Sequence, residues 1–297
     1  MSSDSVVAGA ELLSRAAEDA QVAALKSGVE IRLLDTQDEF DEARHVWDTV
    51  WPMQPGATEV TSHLLRALVH AGAYVSGAYV DDRIVGACLG VIGRDHRDEQ
   101  WHTHLHSHVA AALPEFADRG IGTALKVHQR SWALETSLDR IVWTFDPLVR
   151  RNARFNLVKL GGVGVEYIEN FYGAMTDAVN VGDPSDRVLL QWDIASDRVA
   201  AALRGEPAAL SRADWIARGA TMALDTDSAG HPVVTPATAG TSLVSLPRDI
   251  VEIRGSDPAM ATAWRHAVRQ ALSPVASSAA RIVALTQESD YVVEVVS

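Results

Sequence analysis

Residues 100–135, QWHTHLHSHVAAALPEFADRGIGTALKVHQRSWALE, decide how the rest of the chain is read. Histidines alternate at His102, His104, His106 and His108, and the stretch then turns apolar through Val109 to Leu113. Side chains alternate across a strand, so a period of two puts the four imidazoles on one face. A loop from Pro114 to Arg119 follows, and Gly120-Ile121-Gly122-Thr123-Ala124 opens a helix that runs to about Glu135. Glycines let the backbone approach a ligand closely, and the first turn of a helix has unpaired N–H groups at the positive end of its dipole. Such a turn suits a phosphate or pyrophosphate. Short glycine turns also open many helices that bind nothing, so the glycines alone leave both readings open. No Gly-Lys-Ser/Thr follows, which excludes a Walker loop, and a missing third glycine excludes the dinucleotide fingerprint.

The chain around this stretch has 297 residues, enough for one large domain or two small ones. Apolar residues make up 47%, which supports a proper core and argues against disorder. A net charge of −13 argues against nucleic acid or an anionic membrane as the main partner, since both call for a basic face. Local positive charge is still present in Arg119, Lys126, Arg130, Arg150, Arg151, Arg154 and Lys159. The single cysteine, Cys88, lies in the apolar run IVGACLGVI and reads as a buried small hydrophobe, with no disulfide framework. No window approaches ~18 continuous apolar residues, and the N-terminus lacks the basic-then-apolar pattern of a signal peptide. A cytoplasmic protein is the expectation.

Upstream, residues 8–26 read as an alanine-rich amphipathic helix that ends at Gly28, an N-terminal extension over 1–28. Val29–Leu34 reads as a strand, Thr36 begins a helix that stops before Pro52, and 52–58 is a loop. Thr61–Ala71 is a second helix. Ala73–Val80 and Ile84–Ile92 form a hairpin, and GRDHRDE at 93–99 is a polar loop. Downstream come a short strand, Arg140–Phe145, then Asp146-Pro147-Leu148, and a helix ARFNLVKL stopped by Gly161-Gly162. Val163–Glu169 and Arg187–Asp193 are further strands, joined through GDPSD at 182–186. From Ile194 the composition shifts to Ala, Ser, Asp and Gly, so the expected limits are a domain over 29–194, a linker over 195–212 and a small α+β subdomain over 213–297. That subdomain holds strands at 232–234 and 241–246, a helix at 257–272 and a closing hairpin, 281–286 with 291–296. Met260, Trp264, Val268 and Leu272 form its packing stripe. The subdomain is expected as a cap or as the interface of a homodimer.

The segment Ala112-Leu113-Pro114-Glu115-Phe116-Ala117-Asp118-Arg119-Gly120-Ile121-Gly122 resembles the strand end and helix start of the GNAT superfamily of acyl-CoA-dependent N-acyltransferases. Those proteins carry Arg/Gln-x-x-Gly-x-Gly/Ala there, and Ala117 stands where the Arg or Gln usually is. The order of strand, two helices, hairpin, long strand and glycine-started helix is similar to the superfamily's over 29–194. FDPLVRRNARFNLVKLGG and ENFYG resemble a bacterial subgroup often encoded beside N-succinylamino-acid racemases. The resemblance implies an α/β fold of the α+β kind, with a mixed, mostly antiparallel central sheet and flanking helices. It implies acetyl-CoA, succinyl-CoA or another acyl-CoA as co-substrate, no metal, and a small-molecule amine, with an amino acid as one candidate, as acceptor entering near 52–58.

Residue roles follow from the same resemblance. The diphosphate grip falls on Arg119, Gly120, Ile121, Gly122, Thr123 and Ala124, and the rest of the cofactor arm on Ala110, Ala112, Leu113 and Asn152. An amine attacks a thioester only when neutral, so a proton acceptor near pH 7 is useful, and histidine titrates close to 6.5. The superfamily's base position corresponds to His106 and His108, which leaves His102 and His104 structural. Backbone N–H groups at a strand bulge would hold the oxyanion. The tyrosine that usually protonates the thiolate is missing from ARFNLVKL, where Leu157 occupies its place, so Tyr172 or Tyr167 is the candidate acid. Phe145 and Asp146 are the candidate acceptor contacts, with helix capping as the alternative for Asp146 and Asn152. Two other readings stay open: a fold that binds acyl-CoA or a protein partner without turnover, and a metal-dependent hydrolase. The second rests on HxHxHxH, since next-but-one strand neighbours can reach one ion.

Overall fold

A computed structural model describes residues 3–52, 58, 60–97, 99–173, 184–236 and 240–296. The chain divides into two compact units, Met1–Val142 and Trp143–Ser297.

The first unit begins with a helix α1 (Ser3–Ser27), a strand β1 (Glu30–Leu33) and the helices α2 (Gln37–Val50) and α3 (Ser62–His70). Thr36 starts α2 with a reciprocal capping box to Glu39, and Thr61 caps α3 through Leu64 N–H, so both helix starts match their sequence signals. Strands β2 (Tyr74–Val80), β3 (Arg83–Arg97) and β4 (Gln100–Ala112) follow, then α4 (Ile121–Glu135) and β5 (Arg140–Phe145), which straddles the division. Neighbours β1–β2, β2–β3 and β3–β4 are antiparallel, and β4–β5 is parallel. The core lies where α2 and α3 cover one sheet face, around Phe40, Trp47, Leu65, Val75, Leu89 and Val109. Trp47 donates its indole N–H to the Ala87 carbonyl at 3.2 Å, so its polar edge is satisfied inside this core. On α4, Ile121, Ala124 and Leu125 are buried, and α1 is tied to that helix by an ion pair of 3.1 Å between Asp19 and the buried Arg130.

The stretch 93–99, expected as a loop, continues β3 as far as Arg97 and pairs through Arg97↔Gln100. Its charges misled because they are satisfied across the ribbon. Asp95 faces His102 and takes two hydrogen bonds from Arg140, while the His96 and Trp101 rings meet edge to face.

Gly86 is the point of closest approach between sheet and helix. A Cβ placed there would stand 2.8 Å from Ile121 Cγ2 and 3.1 Å from the Ala111 carbonyl oxygen, so only glycine lets α4 begin where it does. Gly86→Val is expected to lower stability by about 1–3 kcal/mol, read by denaturant titration, because the helix start must move or strain. An unchanged midpoint would show that α4 is not pinned there.

In the second unit, a short helix α5 (Arg150–Ala153) runs into a π-helical turn, Arg154–Lys159, before β6 (Val163–Ile168) and β7 (Arg187–Asp193). The remaining elements are α6 (Asp197–Leu203), α7 (Arg212–Ala217), β8 (Thr221–Thr226), β9 (Pro232–Val234), β10 (Ser242–Val244), α8 (Ile250–Ser256), α9 (Pro258–Ala271), α10 (Ser273–Ala276), β11 (Ala280–Leu285) and β12 (Tyr291–Val295). Strands run in the order β7-β6-β11-β12-β10-β8-β9, all antiparallel neighbours except β10–β8. Pairing of Ile282 with Gly164 puts β6 and β11 in one sheet, which groups 163–168 with the C-terminal strands. The stretch 195–212, read as a linker, carries α6, capped by Ser196. The stripe on α9 packs as its spacing implies, with Trp264, Val268 and Leu272 buried. Both units are mixed α and β, and antiparallel pairing predominates, as expected.

Candidate functional site

The ladder between β3 and β4 slips by one residue in the middle. Leu89 pairs with Val109 and Gly90 with Ser107, so His108 is an extra residue, a β-bulge. His104 and His106 share the face of Gly93 and Val91, while Ser107 and Leu105 face the other way beside Gly90 and Ile92. The alternation expected for four histidines therefore holds for His102, His104 and His106 and breaks at His108, because the added residue resets the period. The bulge nonetheless leaves the rings of His106 and His108 6.2 Å apart. Burial pushes His106 down to about 4, and the neighbouring His108, His104 and Lys126 charges push the same way. His106 is thus neutral at pH 7.

His104 belongs to a separate polar knot. Its Nδ1 lies 3.2 Å from an Arg140 nitrogen and 3.7 Å from Asp95, whose carboxyl is held low mainly by its hydrogen bonds from Arg140. The parallel ladder to β5 meets this region at Leu105↔Ile141 and His106↔Val142. Among the described residues no group of three or more His, Cys, Asp or Glu side chains gathers as a metal site. No described helix is long and apolar enough to cross a membrane.

Pro114–Phe116 forms a single 3-10 turn, and the chain then enters α4 through Gly120, which is left-handed at φ 86°. That conformation favours glycine. Intrahelical bonding starts with Thr123 and Ala124 donating to the Gly120 carbonyl, so the N–H groups of Ile121 and Gly122 precede the ladder. Gly120, Gly122 and Thr123 are half-buried, while Ile121 and Ala124 are buried. Ser27, at the end of α1, closes one side, its Oγ 2.9 Å from where a Gly120 Cβ would stand. Arg119 is exposed and lies over the Phe116 ring at 4.8 Å. Lys126 and Arg130, counted with the local positive charge, are buried beneath the helix and add nothing to its surface. The strand residues differ among themselves. Ala110 is exposed and Ala112 half-buried, whereas Leu113 is buried and its N–H is bonded to the Val85 carbonyl at 2.8 Å.

In the second unit Phe145 is buried, and Asp146 is wholly engaged. Its Oδ1 accepts from Arg265 at 3.0 Å and from Leu148 N–H at 3.0 Å, and its Oδ2 from Arg254 at 2.5 Å and Arg265 at 3.1 Å. Burial alone would raise the carboxyl, but the Arg265 and Arg254 charges and hydrogen bonds outweigh it and hold it down to about 2. An acceptor ammonium finds no free lone pair there, so the contact expected of Asp146 is replaced by a structural one. Asn152 is half-buried on α5. The two tyrosines separate cleanly. Tyr167 is buried and donates to Asp186 at 2.5 Å, which ties up its hydroxyl. Tyr172 is 46% exposed, its hydroxyl 3.2 Å from Thr144 Oγ1 and its ring beneath the Arg187 guanidinium at 5.2 Å. Thr144 and Arg187 had no signal in the sequence. The expected acceptor loop, 52–58, and the start of the 182–186 loop lie largely outside the described residues.

The model of the Acetyltransferase (GNAT) family matches residues 35–161. No curated protein sequence matches the chain. Among solved structures, an aminoglycoside acetyltransferase from an uncultured soil metagenomic sample, in complex with trehalose, is 18% identical, with 40% of this chain and 78% of that one covered at a TM-score of 0.36. An acetyltransferase of the GNAT family from Streptococcus pneumoniae is also 18% identical, covering 55% of this chain and 97% of its own at 0.41. Naa20 from Chaetomium thermophilum, in complex with a bisubstrate analogue, is 14% identical, covering 58% and 92% at 0.43.

Proposed function

The chain carries a GNAT-family acetyltransferase domain over residues 35–161, and from that premise we propose that it is an acyl-CoA-dependent N-acyltransferase acting on a small-molecule amine. Acetyl and succinyl are the donor groups to test, with an amino acid as the first acceptor to try. The observation that carries the reading is the bulge at His108, which sets two imidazoles 6.2 Å apart on the strand leading to the Gly120 turn.

The residues divide the work as follows. The N–H groups of Ile121 and Gly122, which precede the helical ladder, suit a diphosphate, and exposed Arg119 adds charge. The acceptor nitrogen attacks the thioester carbon, and a C–N bond forms as the carbonyl oxygen becomes an oxyanion. Stabilising that oxygen calls for hydrogen-bond donors aimed at it. His106 or His108 takes the proton from nitrogen, directly or through one water. The C–S bond then breaks, and the leaving thiolate takes a proton from solvent water. Asp146 has no part in this scheme.

The test is a thermal-shift series with acetyl-CoA, succinyl-CoA and longer acyl-CoAs, followed by CoA release with an amine panel. A ligand that binds only the native state raises stability by about 2.7 kcal/mol at a hundredfold excess over its dissociation constant. We expect a shift with at least one acyl-CoA and turnover with at least one amine. Ala117 and the absence of tyrosine from ARFNLVKL favour a second reading, binding without turnover. Calorimetric CoA binding with no product across donors and acceptors would select it, and no binding at all would remove both.

A further inference from the structure

Behind the bulge, on the sheet face that α4 covers, lies a polar cluster that the proposed chemistry does not use. Lys126 donates to Ser107 Oγ at 2.9 Å and to Gln129 Oε1 at 2.8 Å. Gln129 in turn donates to Cys88 Sγ at 3.3 Å, and Cys88 stands 4.0 Å from the same Ser107 hydroxyl. All four side chains are buried, Lys126 at 3% exposure and Gln129 at 0%. The cluster brackets the register slip. Ser107 and Gly90 are the last pair on one side of it, and Cys88 flanks Leu89 on the other. A Cβ on Gly90 would come within 3.0 Å of Gln129 Nε2, so the amide is packed directly against the strand opposite the bulge.

A leucine or methionine would fill position 126 without desolvating an amine, which makes the lysine an expensive choice for packing alone. What it supplies is a multiple donor reaching both the strand and its own helix. A bulge is vulnerable to slippage, since a shift of one residue returns the ladder to simple alternation and turns every side chain on one flank to the opposite face. A hydroxyl held from below resists that shift. We propose that Lys126 is a positioning residue that, through Ser107 and Gln129, pins the register of the β4 bulge and with it the placement of His106 and His108. The inference rests on the acyltransferase reading for its functional consequence, but not for its structural one.

Protonation enters because burial pushes Lys126 down to about 7, the Cys88 thiol opposing that shift. The groups around it are Cys88 on β3, His106 on β4 and Gln129 on its own helix. Beyond them, Tyr74 of β2 is hydrogen-bonded to His128, and Arg130 is paired to Asp19. Lysine binds its proton up to about 10.4 in the unfolded chain, so above pH 7 the unfolded state carries more protons at this site. Stability from this residue therefore grows as pH rises from 7.

The experiment compares wild type with Lys126→Met, Lys126→Gln and Ser107→Ala in the full chain. Amide hydrogen exchange across 105–112 reads the bulge, the denaturation midpoint from pH 7 to 8.5 reads the proton, and steady-state kinetics read the consequence. We expect exchange at 107–109 to quicken by about tenfold in Lys126→Met and Ser107→Ala while β7 is unchanged. The rise of midpoint with pH should flatten in Lys126→Met. kcat should fall on the order of tenfold with acyl-CoA affinity within twofold, a displacement well short of an ångström, and Lys126→Gln should recover part of it. Should Lys126→Met not fold, Ser107→Ala carries the exchange and kinetic readings by itself. Unaltered exchange at the bulge in the folded variants overturns the inference. Faster exchange in an enzyme whose wild type turns nothing over leaves the register pin standing and rejects the acyltransferase reading instead.

Discussion

Replacing Asp146 with alanine is expected to destabilise the second unit by about 3–5 kcal/mol, the range for removing one partner of a buried ion pair. Arg265 is 1% exposed, and its guanidinium makes two bonds to this carboxylate. With the carboxylate gone, a buried charge keeps its desolvation penalty and loses the two hydrogen bonds and the opposite charge that Asp146 supplied. Arg254 is the less exacting partner, since its side chain keeps 13% exposure and can turn toward water. Arg254→Gln should therefore cost clearly less than Asp146→Ala. Asparagine at 146 keeps the shape but not the charge and should fall near alanine, because the charge on Arg265 is what needs an answer. The pH dependence has a definite sign. The folded carboxyl titrates near 2 and the unfolded one near 3.9, so the contribution is complete above about pH 4 and is lost as pH falls toward 2. Urea titration at pH 7 and at pH 3 measures both. A loss under about 1 kcal/mol for Asp146→Ala at pH 7 would mean that water reaches Arg265, and that Asp146 is free for another role after all.

Asp146 also shows which kinds of information a single sequence carries. Its position after the strand Arg140–Phe145 was legible, because an apolar run ending in Asp-Pro marks a strand end. Its partners were not, since they lie 108 and 119 residues further on and nothing local points to them. The same division runs through the candidate site. The strand, the turn at Gly120 and α4 were readable from periodicity and glycine placement. The bulge was invisible, because it is an offset between two strands and neither strand's own pattern records it. His106 and His108 came from family likeness. Alternation alone put His108 on a face that the extra residue then reassigned. Lys126 reads in the sequence as one more basic residue of a helix, and only its hydrogen bonds to Ser107 and Gln129 show that it points inward. Charged stretches mislead in the same way, as at 93–97, where Asp95 and Arg140 satisfy each other along a ribbon that composition alone would make a loop.

Turnover, once a donor and acceptor are found, is expected to fall by about 10²–10⁴-fold in the double variant His106→Ala with His108→Ala, the usual contribution of general base catalysis. An imidazole titrating near 4 looks at first too weak for the task, since it would not strip a proton from a free ammonium at pH 7. The acceptor, however, must enter neutral in order to attack. Once the C–N bond has formed, the nitrogen is positively charged beside a developing oxyanion and is far more acidic than the free ammonium. A weak base then suffices, and its weakness keeps it unprotonated well below neutrality. If His106 is that base, kcat should hold down to about pH 5 and decline only toward pH 4. kcat/KM should instead fall through the acceptor's own pKa, because only the neutral amine is productive. The single variants separate the two rings. Loss confined to His108→Ala, with an acid limb well above pH 4 in wild type, would transfer the role to His108. Burial, which pushes His106 down, also gives a stability signature. The unfolded ring binds its proton near 6.5 and the folded one near 4, so the native state loses stability as pH falls between these values. His106→Ala should flatten that decline whether or not the residue is a base. Full activity in the double variant, with the flattened stability profile present, would leave both histidines as packing groups and remove them from the reaction.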